Sequence, residues 1–184
     1  MTPDELESLI TARRSNLLID AQKPIDDDII KRIVDVAQWA PNHKRTWPLR
    51  VAVVQGESRR ALGTAISDAM AAFGDDEAKV LKARTKYLRT PVVLVVASAA
   101  GQTENETEEN KYAVAAGTQN MLLMAESFGL AALWGSPAKG TNSAITHLCH
   151  MDSTDHVLGI IYVGWPTQSV PSVERPDTNV TYLH

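Results

Sequence analysis

The chain has 184 residues, with 22 acidic against 18 basic side chains, a net charge of −4 and a pI near 5.7. The length fits one domain over residues 1–184. A composition of 44% apolar and 22% charged residues excludes a disordered tail, a collagen-like repeat and a disulfide-stapled miniprotein. The acidic balance argues against duplex nucleic acid, whose binders neutralise phosphates, and no run of about 18 apolar residues is present to span a bilayer.

The N-terminus, Met1-Thr-Pro-Asp-Glu5, is acidic and lacks an apolar core, so it does not read as a secretory signal. Cys149 is the only cysteine and forms no internal disulfide, which fits a reducing cytoplasm. The glycosylation-like triplets at Asn105 and Asn179 are then chance matches. A folded chain of 20.1 kDa is expected to expose roughly 8,700 Å².

Residues 3–13 read as a helix, with Leu6, Leu9 and Ile10 at helical spacing and acids in the first turn. Asp26 caps a second helix carrying Ile30, Ile33, Val34 and Ala37, which stops at Ala40 before Pro41. A loop bounded by Pro41 and Pro48 leads into a short strand at 51–54. Residues 58–89 are helical with a break at Gly74-Asp-Asp76, and the β-branched run 92–97 is a strand buried on both faces. An acidic loop at 101–110 precedes a nearly uncharged, centrally buried helix at 111–128, ended by Gly129. An extended piece at 130–134, a short helix at 141–149 and a strand at 157–163 follow, then a polar tail with a strand-like end at 179–183. This order reads as α/β or α+β, a small sheet flanked by helices.

No dinucleotide fingerprint, P-loop or nucleophile elbow is present. The cluster His147-Leu-Cys149-His150 has metal-ligand chemistry but no supporting second cluster, so metal is not assigned and the residues read as incidental surface polarity. Two segments are richer. Arg13-Arg14-Ser15 places two guanidiniums and a hydroxyl in three residues, suited either to a phosphate monoester or simply to the last carbonyls of the helix. The stretch from Trp39 to Pro48 combines donors, an imidazole and two indoles on a loop clamped by prolines at 41 and 48, suited either to a planar polar ligand or to a surface loop with a packed Trp.

In order, these segments resemble the nitroreductase family of flavoproteins, above all its compact bacterial members of about 180 residues. The likeness rests on Arg13-Arg-Ser15, Ala40-Pro-Asn-His-Lys44, Trp47-Pro48 before the strand, Gly129-Leu-Ala-Ala-Leu-Trp134 closing the long helix, and Gly164-Trp-Pro166 closing the last strand. It implies an α+β, three-layer fold with a small, mostly antiparallel sheet and a C-terminal segment packing on a partner subunit. It also implies FMN and a homodimer with its sites at the interface. Arg13, Arg14 and Ser15 match positions that hold the FMN phosphate, the ribityl chain or the ring's polar edge. Pro41, Asn42 and His43, with Trp39 before them, match a loop that reaches the other subunit's FMN. Trp134, Gly135 and Ser136 match a stretch along the ring or phosphate.

The resemblance further implies hydride transfer from NAD(P)H to nitroaromatics, quinones or a related unsaturated acceptor, by a ping-pong mechanism and with no dedicated catalytic side chain. Cations for the flavin come from Arg13, Arg14 or a Lys within 82–86, and Arg175 is a further candidate by its place after Pro166. The chain departs from the family where Trp47 replaces a glutamine and Leu49 a tryptophan. A flavin-storage protein on the same fold and a flavin-free dimeric interaction module are the alternatives. No membrane or nucleic-acid partner is expected.

Overall fold

A computed structural model describes residues 1–184. Its centre is the apolar run predicted as a strand, which forms β2 (Val92–Ser98) and is buried along its whole length. β2 pairs antiparallel with β1 (Leu49–Gln55) on one side and β4 (His156–Gly164) on the other, and β4 pairs antiparallel with β3 (Ala131–Gly135). The sheet order is β1-β2-β4-β3, so β1 and β3 are the edges.

Side chains alternate across a strand, so one continuous apolar run serves two cores. Val92, Leu94 and Val96 join Ile161 and Val163 under α2 (Asp27–Asp35) and α5 (Glu104–Ser127). Val93, Val95 and Ala97 join Ile160 and Tyr162 under α3 (Ser58–Phe73), α4 (Glu77–Lys86) and α6 (Asn142–Leu148). The result is the expected three-layer α+β arrangement. α1 (Pro3–Ala12) buries no residue and lies against α5. Its start is fixed by a capping box in which Glu5 N donates to Thr2 Oγ1 at 3.2 Å and Thr2 N to Glu5 Oε2 at 2.7 Å.

Several sequence expectations need correction. The acidic stretch 101–110 is mostly not a loop, because α5 already begins at Glu104. Thr103 Oγ1 accepts from Glu106 N at 3.1 Å, and the glutamates of the first turn complement the helix dipole. Nor is α5 buried all round: Val114, Gly117, Thr118, Met121, Leu122 and Ala125 face the core, while Tyr112, Ala116 and Gln119 are exposed. The second helix gives way at Val36 to a 3-10 turn, Val36–Trp39. The 58–89 region breaks at Gly74 as expected, where a φ of 89° ends α3, but its last residues, Tyr87–Arg89, form a 3-10 turn. Residues 179–183 form no strand; 171–184 are exposed throughout.

Candidate functional site

α1 stops at Ala12, and the next residues turn away to run beside β3. Ser15 forms a parallel bridge with Ala132, and Asn16 N donates to Ala132 O at 3.0 Å. The Asn16 amide accepts from Leu18 N at 2.8 Å and donates to Gln168 O at 2.9 Å, while Thr167 N donates to Leu18 O at 2.7 Å. The chain leaving β4 is thereby strapped back toward the end of α1.

That strap brings Arg175 to the same cavity as Arg13 and Arg14. The cavity has a volume of about 360 Å³, and its other lining includes Gln119 of α5 and Val173. Three guanidiniums and no carboxylate line it, which is donor chemistry for a dianion. Arg14 also satisfies part of the plainer reading, since it donates to the carbonyls of Thr11 and Arg13. Its Nε is nonetheless buried without a partner, and Arg13 makes no side-chain hydrogen bond to the protein. A second cavity of about 390 Å³ lies behind Arg14, between Glu126 and the strap at 166–170.

Two residues beyond Ala132, the same strand carries Trp134. Its indole lies across β4 at Gly159, where a Cβ would stand 2.0 Å from Trp134 Nε1. That Nε1 donates to Leu158 O at 3.3 Å. The missing side chain of Gly159 thus makes room for the indole against β4, with Gly135 and the exposed Ser136 following Trp134.

The third group sits on the opposite edge. The 3-10 turn ending at Trp39 packs on α5 closely enough that a Cβ at Gly117 would meet Ala37 O at 2.6 Å, and Asn120 Nδ2 donates to Val36 O at 3.3 Å. Trp39 itself is 86% exposed. Lys44, Arg45 and Trp47 then take φ of 56°, 55° and 50°, a left-handed conformation costly for residues with a Cβ. Asn42 holds them there. Its Oδ1 accepts from Trp47 N at 2.9 Å, and its Nδ2 donates to Thr46 Oγ1 at 3.0 Å. Thr46 donates to the buried Asn110 at 2.6 Å, and Asn110 donates to Ala99 O at 3.2 Å. His43 Nε2 lies 4.0 Å from Glu109 Oε2.

Register locates the groups. Leu49, just after the loop, pairs with Ser98, and Ser98 pairs with His156. Trp134 pairs with Ile161, whose row continues through Leu94 to Val53, so Trp134 sits four positions along the sheet from Leu49 and on the opposite edge strand. With β2 and β4 between them, the edge strands β1 and β3 alone are about 14 Å apart at the usual strand spacing. The structure brings Arg13, Arg14 and Ser15 together with Arg175 and β3. Pro41, Asn42 and His43 stand apart with Trp39.

The lysines at 82–86 do not join either group. They lie on α4, in the layer beyond the other face of the sheet, where Lys86 sits 5.3 Å from the Tyr87 ring. Burial, then Arg89 and Lys82, lower its pKa. Burial pushes the Cys149 thiol up to about 11, which keeps it protonated at neutral pH. Sequence reasoning missed Asn110, Thr46, Gln119 and Gly159. A glycine inside an apolar strand is a signal of close approach that marks Gly159; polar residues on a long helix carry no such mark.

A family model described as "Nitroreductase family" matches residues 10–165. A provisionally named NAD(P)H nitroreductase of Haemophilus influenzae is 26% identical over 159 residues, covering 85% of this chain and 86% of that one. Among solved structures, a nitroreductase-like family protein from Bacillus cereus superposes with a TM-score of 0.80 at 25% identity, over 96% of this chain and 94% of that one. A nitroreductase with bound FMN from Bacteroides fragilis has a TM-score of 0.76 at 20% identity, over 100% of both chains. No helix here is long and apolar enough to cross a membrane.

Proposed function

We propose that this chain, which belongs to the nitroreductase family, is an FMN-dependent oxidoreductase that takes its electrons from NAD(P)H. The observation that carries this reading is the cavity lined by Arg13, Arg14 and Arg175, tied through Ser15 to the strand bearing Trp134. A phosphate monoester needs several charge-assisted donors and no facing carboxylate. The unpartnered Arg14 Nε and the unbonded Arg13 are donors of that kind. The indole packed against Gly159, with Gly135 and Ser136 following it, suits the edge of a planar ring. FMN, when bound, supplies two-electron transfer between a nicotinamide donor and an acceptor.

The residues divide the remaining work. Arg13, Arg14 and Arg175 bind the phosphate. Trp134, Gly135 and Ser136 orient the ring. Trp39, Pro41, Asn42 and His43 cover the ring bound to a second copy of the chain. The placement of the two groups on opposite edge strands within one copy supports that composite, homodimeric site. No side chain is assigned proton transfer, and solvent serves that role. Donor and acceptor alternate over one face, which makes the kinetics ping-pong. Nitroaromatics, quinones or related unsaturated acceptors fit that face, with the indole of Trp47 limiting their size.

The test is direct. The purified protein should be yellow, release FMN on denaturation, and bleach with NADPH under anaerobic conditions. Arg13→Ala should weaken FMN binding by about 1.5–3 kcal/mol, the worth of a hydrogen bond to a charged group. FMN affinity unchanged in that variant removes the assignment of Arg13; a colourless protein that takes up no FMN removes the function.

A further inference from the structure

The loop at 39–47 carries a feature that FMN binding leaves unused. Between Asp35 and Glu57 the chain has no acid, although it holds 22 in 184 residues, and within that window stand His43, Lys44, Arg45 and Arg50. His43 faces Glu109 at 4.0 Å, and Arg50 is occupied by the carbonyls of Trp47 at 3.1 Å and Leu49 at 3.0 Å. Lys44 and Arg45 are exposed and have neither an ion pair nor a side-chain hydrogen bond. Both occupy left-handed backbone fixed by the chain of hydrogen bonds from Asn42 through Thr46 to the buried Asn110. Two exposed indoles flank them, Trp39 at 86% and Trp47 at 54%.

A braced pair of unpaired cations beside open indole faces has a defined complement. An aromatic base stacks on an indole, and a phosphate accepts from guanidinium and ammonium donors. We infer that Lys44 and Arg45 form a subsite for the phosphorylated adenosine arm of the nicotinamide donor, and that they favour NADPH over NADH by engaging the 2′-phosphate. This rests on the flavin reading above and adds its donor specificity.

The experiment uses the purified holoprotein and two readouts. In titration calorimetry, 2′-AMP should bind more tightly than adenosine, with an affinity that falls as salt rises. The double variant Lys44→Ala/Arg45→Ala should lose roughly tenfold or more of that affinity, the equivalent of one or two hydrogen bonds to charge. In anaerobic stopped flow, the same variant should lose a similar factor in flavin bleaching by NADPH while the NADH rate changes by less than twofold. Lys44→Arg should retain the preference for NADPH.

Equal losses with both donors, or 2′-AMP affinity unchanged in the double variant, overturn the subsite. A selective loss with an anionic nitrobenzoate acceptor, but not with NADPH, also overturns it and reassigns the cations to acceptor binding. Dissociation of the dimer in the variant with matched loss of both donors overturns it in favour of an interface role. If the flavin reading itself fails, the protein holds no FMN and the stopped-flow arm has no signal, whereas the 2′-AMP arm still reports on the loop.

Discussion

Gly159 shows how much one missing methyl positions here. The indole of Trp134 occupies the space a Cβ would fill, at 2.0 Å from Nε1. Gly159→Ala should therefore displace that indole and cost about 1–3 kcal/mol, the usual scale for overpacking. Denaturant unfolding of Gly159→Ala, Trp134→Phe and the double variant forms a cycle that isolates the contact. A coupling energy of zero would mean that the two residues do not meet. The sequence marks Trp134 through a motif and Gly159 only as a glycine in an apolar strand; that the two meet follows from the register, which pairs Trp134 with Ile161 and leaves Gly159 two residues along on the same face. Arg13 and Arg14 are legible as a pair, but their partner Arg175 lies 161 positions further on, and its arrival depends on the strap that Asn16 holds. The same holds in the loop. Asn42 is visible beside Pro41, whereas its brace, Asn110, lies in a stretch that reads as an acidic loop until Thr103 is seen to cap a helix.

At the scale of elements, periodicity located the strands and most helices, since the continuous run of β2 and the spacing of α2 leave few alternatives. It placed boundaries less well where charge obscured the pattern, as at the start of α5. The layer of α3, α4 and α6 carries a consequence for pH. Burial raises the Cys149 thiol from near 9 to about 11 and Tyr162 from near 10 to about 12, and it raises Tyr87, stacked on Tyr162 with centroids 5.9 Å apart. Each of these groups is neutral when protonated, so the folded state keeps its proton to higher pH than the unfolded chain does. Above about pH 9 the native state therefore binds more protons, and stability falls as pH rises. Calorimetric melting temperatures should decline between pH 9 and 11. Cys149→Ala should decline less over that window, because its unfolded state no longer has a thiol to ionise. Parallel profiles for the two proteins would show that the thiol contributes nothing to the alkaline loss.

The whole molecule is open in a way its mass does not explain. One chain exposes 11,213 Å², against roughly 8,700 Å² expected for a folded monomer of this size. Much of the difference lies where covering is absent. Residues 171–184 are exposed throughout, including Val173, Val180, Tyr182 and Leu183, and Tyr112 of α5 stands 70% exposed. Apolar surface of that kind is characteristic of an interface, and a symmetric pair of chains would bury it twice over. In such a pair the Arg13 group of one copy and the His43 loop of the other would meet in each of two equivalent sites, as the proposed function requires. Arg13→Ala and His43→Ala homodimers would each be impaired in both sites. Mixed by unfolding and refolding, they should give heterodimers in which one site carries both substitutions and the other carries neither. Random pairing puts half of the dimers in that class, so about a quarter of all sites regain full activity. Turnover per subunit near a quarter of wild type, measured at saturating FMN, supports the composite site. Turnover no higher than that of the parent variants, with both folded and dimeric, would place Arg13 and His43 in the same subunit's site.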